Sequence, residues 1–204
     1  MPNPSKSPER RERFTPLIAD AFIELGYRGT TSAELASRCG VRENQLYRVW
    51  PTKKAMFLDA VEYVHRATMR AWEAIAAERG GAGAGSIAER ILAHQAANHG
   101  RMRLYRIVFA ALTEDDPDIR AALRNVYRRF HDFIVPRIEE HRATGRGNGR
   151  ARKGAAPAPE SAAWSLIGLG MIVDLQRELD LLPNERRRPL MEEVGRVLLD
   201  GASA

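Results

Sequence analysis

Residues Thr30 to Phe57, TTSAELASRCGVRENQLYRVWPTKKAMF, constrain the fold of this chain more than any other stretch. Two short helical patterns flank a Cys39-Gly40-Val41 turn, and a Trp50-Pro51-Thr52 break closes them. Thr31 followed three residues later by Glu34 predicts a capping box at the start of the first helix, with Leu35 and Ala36 facing inward. Gly40 is free to take the positive φ that ends a helix, with Val41 buried beneath it. The second helix is predicted from about Arg42 to Val49. Leu46 and Trp50, four apart, face the core, which leaves Arg42, Asn44, Gln45, Tyr47 and Arg48 on the remaining arc. This is the pattern of a helix-turn-helix, and its outward side chains carry the chemistry that reads DNA. Adenine offers N7 and N6 to a bidentate amide and guanine offers O6 and N7 to arginine, so Gln45 and Arg48 are expected at base edges. Asn44 suits a base edge or solvent equally. Thr31, Arg42, Tyr47, Thr52 and Lys53 are expected on phosphates, through hydroxyls, charge and helix N-terminal amides.

The same stretch, extended upstream, resembles the tetracycline-repressor (TetR) family of bacterial regulators. Phe14, Phe22, Gly26-Tyr27, Thr30-Thr31, Leu35-Ala36, Gly40-Val41, Leu46-Tyr47, Trp50-Pro51, Lys53 and Met56 carry the resemblance, which covers roughly the first quarter of the chain. It implies an all-α fold: a three-helix DNA-binding domain at 1–54, joined by a long helix to a larger ligand-binding and dimerisation domain at 55–204. There are departures. Pro16 falls inside the first expected helix, where proline removes a backbone donor. Either Thr15 caps a shorter helix that begins at Pro16, or a longer helix from about Pro8 is kinked there; the shorter helix, preceded by a basic arm of Lys6, Arg10, Arg11 and Arg13, is the favoured reading. That arm could reach a neighbouring minor groove or stay idle. Arg42 stands where the family often has a capping serine, and Trp50 where it usually has phenylalanine.

Charge is concentrated where DNA would lie. The chain of 204 residues carries a net charge of +6. Residues 1–54 hold a surplus of four basic side chains, and 142–153 hold five basic and no acidic ones, which leaves the rest slightly acidic. Clustering of this kind marks polyanion binding, whereas single arginines in an arginine-rich chain do not. The N-terminus has no apolar signal-peptide core, and the longest uncharged run, Ser161 to Val173, falls short of the roughly 20 residues that span a bilayer. A cytoplasmic protein with no membrane partner is expected. The lone Cys39 suits a small buried side chain.

Thr52 is predicted to cap a long helix to about Arg79, with Met56, Ala60, Val64, Ala67, Ala71 and Ile75 on its packed face. A Gly-rich tract ends it. Ser86 with Glu89 is a second capping box, opening a helix to about Asn98. Further helices are predicted from Arg101 to about Leu112, from Asp116-Pro117 to about Arg142, from about Glu160 to Leu181, and from about Asn184 to Leu199. The tract at about 143–159 is rich in glycine, proline and positive charge and is read as a mobile basic loop, either a solvated linker or an added attraction for phosphate.

The resemblance implies a homodimer in which the last two helices pair with their copies. Leu166, Leu169, Gly170, Val173, Leu190, Val194, Val197 and Leu198 are the expected interface, with Gly168 and Gly170 allowing close approach. It also implies a small-molecule effector, mostly apolar or aromatic, held among Trp72, His94, Met102, Tyr105, Phe109, Tyr127, Phe130 and Trp164. A repressor that binds a palindromic double-stranded DNA operator and leaves it when the effector binds is the leading reading. An activator or architectural DNA binder, and a helical enzyme using the C-terminal cavity, are the alternatives. No catalytic residue, metal or cofactor is assigned: Glu114, Asp115, Asp116 and Asp118 surround Pro117 and read as a helix cap, and His94 and His99 lack ligand spacing.

Overall fold

The computed structural model describes residues 6–78, 85–98, 104–112, 114–144 and 156–201, without the side chains of residues 6, 7, 104 and 110. Among these residues the secondary structure is all helical: α1 (Lys6–Gly29), α2 (Ser32–Cys39), α3 (Glu43–Tyr47), α4 (Lys53–Ala77), α5 (Ile87–Asn98), α6 (Leu104–Leu112), α7 (Pro117–Ala143), α8 (Pro159–Glu178) and α9 (Asn184–Asp200). They form two compact units, Met1–Thr68 with Arg103–Val126, and Met69–Met102 with Tyr127–Ala204. α4 and α7 each begin in the first unit and end in the second. The first unit therefore holds the helix-turn-helix together with α6 and the opening of α7, and α6 packs on α1.

The first unit is built on apolar residues from four helices. Phe14, Ile18 and Phe22 of α1, Leu35 of α2, Leu46 of α3, and Met56 and Phe57 of α4 are all buried. Phe57 meets Phe22 edge-on at 5.0 Å and Tyr27 at 4.9 Å, a geometry that aromatic quadrupoles favour. Helix α1 runs through Pro16 and does not start there, which corrects the shorter helix read from the sequence. Pro16 offers no N–H to the turn before it, yet buried Phe14 and Ile18 on either side anchor both flanks to one core. Arg11 secures the earlier turns: Nη2 donates to Asp59 Oδ1 at 2.7 Å, and Nε donates to Oδ2. The residues read as a free arm thus include one that is pinned to α4. Near its end α1 turns at Gly26 (φ 72°), and the Thr30 hydroxyl donates to the Gly26 carbonyl at 2.6 Å.

Asp59 also accepts the Trp50 indole N–H, Nε1 to Oδ2 at 2.6 Å, and Trp50 is buried. One carboxylate therefore joins α1, α4 and the residue that closes the helix-turn-helix. Burial pushes its pKa up, but the bonds from Arg11 and Trp50 and the Arg11 charge outweigh that and hold it below the usual carboxylate range. At the other end of the unit, Arg28 pairs with buried Glu114 at 3.0 Å, and Lys54 with Asp116 and Asp118 at 3.2 and 2.5 Å. Asp116 Oδ1 accepts the backbone N–H groups of Asp118 and Ile119, so the acidic run caps α7 as its sequence predicts.

In the second unit the Ser86–Glu89 capping box forms in full: Glu89 N–H donates to Ser86 Oγ at 3.2 Å, and Ser86 N–H to Glu89 Oε2 at 2.6 Å. α9 packs against both α5 and α8. The close approach occurs at Gly195, where an added Cβ would lie 2.5 Å from Leu92 Cδ1, whereas Gly168 has nothing within 4 Å. The end of α7 holds the end of α9. Arg142 donates to the carbonyls of Leu198, Leu199 and Pro157 at 3.0, 2.9 and 2.7 Å, the use of a cation at a helix C-terminus that the peptide dipole favours. Along α4 the packed face departs from the expected series after Val64: Ala67 is exposed, and Thr68 and Trp72 are buried instead. The tract at 143–159 falls largely outside the described residues.

Asp59→Ala leaves the buried Trp50 N–H without an acceptor and Arg11 without its partner, and is expected to cost about 2–3 kcal/mol. Because the folded pKa is depressed, this stabilisation is present above the unfolded value of about 4 and is lost as pH falls through the folded one. Thermal melts should show a wild-type advantage at pH 7 that narrows below about pH 4.

Candidate nucleic-acid interface

The turn between α2 and α3 is set by Gly40, which adopts φ 64° and ψ 35°. Gly40 N–H donates to Ser37 O and Val41 N–H to Ala36 O, both at 3.0 Å, the paired bonds of a Schellman motif. At the start of α2, Thr31 Oγ1 accepts Glu34 N–H at 3.1 Å, but the capping box is half formed: the Glu34 carboxylate accepts Arg38 Nε at 2.7 Å instead of returning to the cap. Beside Thr31, Ser32 Oγ meets the Tyr47 hydroxyl at 2.5 Å, a contact that holds the end of α3 against the start of α2. Ser32 was not singled out in the sequence; only the fold brings it opposite a residue fifteen positions away.

α3 presents Arg42, Asn44, Tyr47 and Arg48 exposed, over buried Leu46. The side chains of Asn44 and Arg48 make no hydrogen bond or ion pair with a described residue and extend as open donors. Gln45 is half-buried, and its Oε1 accepts the Arg42 backbone N–H at 3.0 Å. Gln45 thus makes the return half of a capping box, and it can offer a base both amide atoms only by releasing that bond. Thr52 Oγ1 accepts Ala55 N–H at 3.0 Å and caps α4. In both cap threonines the oxygen faces the helix and the hydroxyl hydrogen stays free to donate outward. Lys53 is spent largely inward: Nζ donates to Tyr27 O at 2.9 Å and Thr30 O at 3.1 Å and lies 4.5 Å from the centre of the Tyr27 ring. Cys39 is buried beneath this surface, and burial pushes its thiol up to about 11, away from reactivity.

The residues expected around an effector divide between the units. Tyr105, buried, and Phe109, half-buried, lie in the first. Trp72, His94, Tyr127, Phe130 and Trp164 lie in the second, and Met102 is outside the described residues. Trp72 packs 5.0 Å from Phe130, its indole N–H donating to Gln95 Oε1 at 3.2 Å. Tyr127 donates to Met171 Sδ at 3.5 Å, and burial, with the Asp174 charge second, pushes its hydroxyl up to about 12. Trp164 stacks on His131 at 4.7 Å and is 48% exposed, and the His94 ring meets Asn98 one turn on. A cavity of about 240 Å³ in the second unit is lined by other residues, among them Ser86, Arg90, Arg137, Glu140, His141 and Thr144.

At the floor of that cavity lies a constellation that the sequence did not reveal. His141, fully buried, meets Ser86 Oγ with Nδ1 at 2.8 Å and Asp200 Oδ1 with Nε2 at 2.6 Å. The bonds close if Nε2–H donates to Asp200 and Nδ1 accepts the Ser86 hydroxyl, which in turn accepts Glu89 N–H. The order serine, histidine, aspartate matches a nucleophilic triad, but here the serine is the cap of α5, and the network fastens α5, α7 and α9 together. Separations of 55 and 59 residues hid it.

Of the expected dimer residues, Leu169, Gly170 and Val173 are buried within the chain itself, Leu166, Leu190 and Leu198 are half-buried, and Val194 and Val197 are exposed. The open apolar face of α8 runs instead along Trp164, Gly168, Ile172, Leu175 and Leu179, at spacings of three and four, with the inward face one step round the helix. Among the described residues no group of His, Cys, Asp or Glu is placed to hold a metal, and no helix is long and apolar enough to cross a membrane.

Residues 18–60 match the profile of bacterial regulatory proteins of the tetR family. No curated protein matches the sequence. Solved structures do. A protein from Saccharomonospora viridis, assigned as a transcriptional regulator and in complex with choline, is 17% identical and superposes with a TM-score of 0.72 over 91% of this chain and 94% of its own. A transcriptional regulator from Rhodococcus sp. Rha1 is 19% identical, with a TM-score of 0.70 over 95% and 98%. The reduced form of NemR from E. coli is 18% identical, with a TM-score of 0.71 over 91% and 96%. At such identities the likeness is one of fold.

The Lys53 geometry separates a structural from a phosphate-binding role. Lys53→Met, which removes the cation from the end of α1 and from the Tyr27 ring, is expected to lower stability by about 1–2 kcal/mol in denaturant titrations without DNA. A lysine that acted only on phosphate would leave that midpoint unmoved.

Proposed function

We propose that this chain, a TetR-family protein by its N-terminal domain, is a homodimeric repressor that binds a palindromic double-stranded DNA operator and is released from it by a small-molecule effector. The observation that carries the reading is α3 itself, a helix that turns Asn44 and Arg48 outward as open donors over a buried Leu46, on a frame locked at Gly40 and Asp59. Arg48 is the base reader, Asn44 and a released Gln45 its neighbours. Thr31, Ser32 and Tyr47 form a hydroxyl cluster beside the free amides of the α2 N-terminus, where a phosphate would sit. Arg42 and Thr52 flank it, and the remaining donor of Lys53 serves the same backbone.

A second copy would cover the apolar face of α8 and the exposed Val194 and Val197 of α9. Two-fold symmetry then places two α3 helices about one turn of DNA, roughly 34 Å, apart. The choline complex of the Saccharomonospora viridis protein supports a small-molecule ligand, which this reading assigns to the second unit. α4 and α7 run covalently from that unit into the one that holds the helix-turn-helix, so a ligand that prefers one arrangement of either helix shifts the DNA-binding equilibrium by its differential affinity.

Binding measured by anisotropy on the selected operator and its single-base variants tests the contacts. Arg48→Ala should lose about 1–3 kcal/mol of discrimination at one base pair of each half-site, whereas Tyr47→Phe should weaken all sequences alike; identical behaviour of the two would overturn the assignment. Ile172→Asp would bury an unpaired carboxylate between subunits and should weaken dimerisation by about 3–5 kcal/mol, read by sedimentation, with operator affinity falling in step.

A further inference from the structure

The 240 Å³ cavity in the second unit lies where the end of α4, the start of α5 and the end of α7 meet. It lies outside the aromatic set considered for an effector, and its walls are charged. Arg90 is matched locally: Nη1 lies 3.7 Å from Glu78 Oε2, and Nη2 donates to the Glu78 carbonyl at 3.3 Å. Its Nε is buried without a partner. Arg137 is not matched. Its guanidinium lies 4.0 Å from the centre of the Phe133 ring, and Nη1 donates to Phe133 O at 3.1 Å, so it is held in place with its remaining donors open. Among the described residues it meets no carboxylate. Glu140, one turn further along α7, also lines the cavity and meets no cation among the described residues. Ser86 and Thr144 add hydroxyls, and Ala76 and Ile87 add a short apolar wall.

With Arg90 and Glu78 matched to each other, the cavity is left with one unmatched cation, Arg137, and one unmatched carboxylate, Glu140, among the described residues. It complements a molecule that carries both charges close together. We propose that the cavity is a binding site for a small zwitterion of the α-amino acid class with a short aliphatic side chain. The carboxylate bonds the open donors of Arg137, the ammonium pairs with Glu140, and the side chain lies on Ala76 and Ile87. A carboxylate suits a guanidinium whose plane is already fixed, because little side-chain freedom is lost on binding. The buried Ser86–His141–Asp200 network below fixes the floor, so the site is preformed.

Isothermal titration of the full chain with glycine, L-valine and L-leucine tests this. L-valine or L-leucine is expected to bind at least about tenfold more tightly than its N-acetyl derivative, which lacks the ammonium, or isobutylamine and isoamylamine, which lack the carboxylate. Arg137→Gln and Glu140→Gln should each weaken binding by about tenfold or more, Glu140→Gln with the circular dichroism melt unchanged. Glu140 is exposed and Arg137 is half-buried against Phe133, so neither change empties the core. No binding by any of the three amino acids, equal binding of the single-charge analogues, or indifference to Glu140→Gln would each overturn the proposal. The readout needs no DNA, so it stands or falls apart from the repressor reading.

Discussion

The helix-turn-helix depends on one carboxylate. Asp59 lies in α4, outside the DNA-reading segment, yet it takes the Trp50 indole from below α3 and the Arg11 guanidinium from α1. A short helix such as α3 has little stability of its own, since nucleation cost dominates at this length, and its orientation must come from what lies under it. Trp50 and Leu46 provide that support, and Asp59 fixes the larger of the two in angle as well as depth. The same carboxylate ties the turns of α1 ahead of Pro16 to α4 through the ion pair.

Polar fastening recurs in the second unit for a different reason. α8 leaves one apolar face open, so the chain has less apolar contact with which to hold α8 and α9 in place. Arg142 on the terminal carbonyls of α9, and His141 between Ser86 and Asp200, fill that role with directional bonds. Gly195 lets α9 sit close on α5, against Leu92.

Most of the helices were legible in the sequence because their ends carry local chemistry. Thr52, Ser86 and Asp116 cap where they were expected to, and Gly40 turns as its freedom allows. These signals act over three or four residues, the distance at which side chain and backbone meet in a helix. Where the reading failed, the deciding partner was far away in sequence. Pro16 looked like a helix start because the Arg11–Asp59 pair spans 48 residues. The inward bonds of Lys53 were hidden for the same reason, since the Thr30 and Tyr27 carbonyls that accept them lie 23 and 26 residues back. The cavity belongs to the same class: its lining comes from α4, α5 and α7, which no local pattern brings together.

The grip of Arg142 on Pro157 has a consequence for the chain between them. One guanidinium holds the end of α7 and the approach to α8 within a single hydrogen bond of each other, 2.7 Å across a separation of 15 residues. The helices on either side are therefore positioned without reference to how many residues connect them. Without that guanidinium the approach to α8 and the end of α9 would lose their common anchor together.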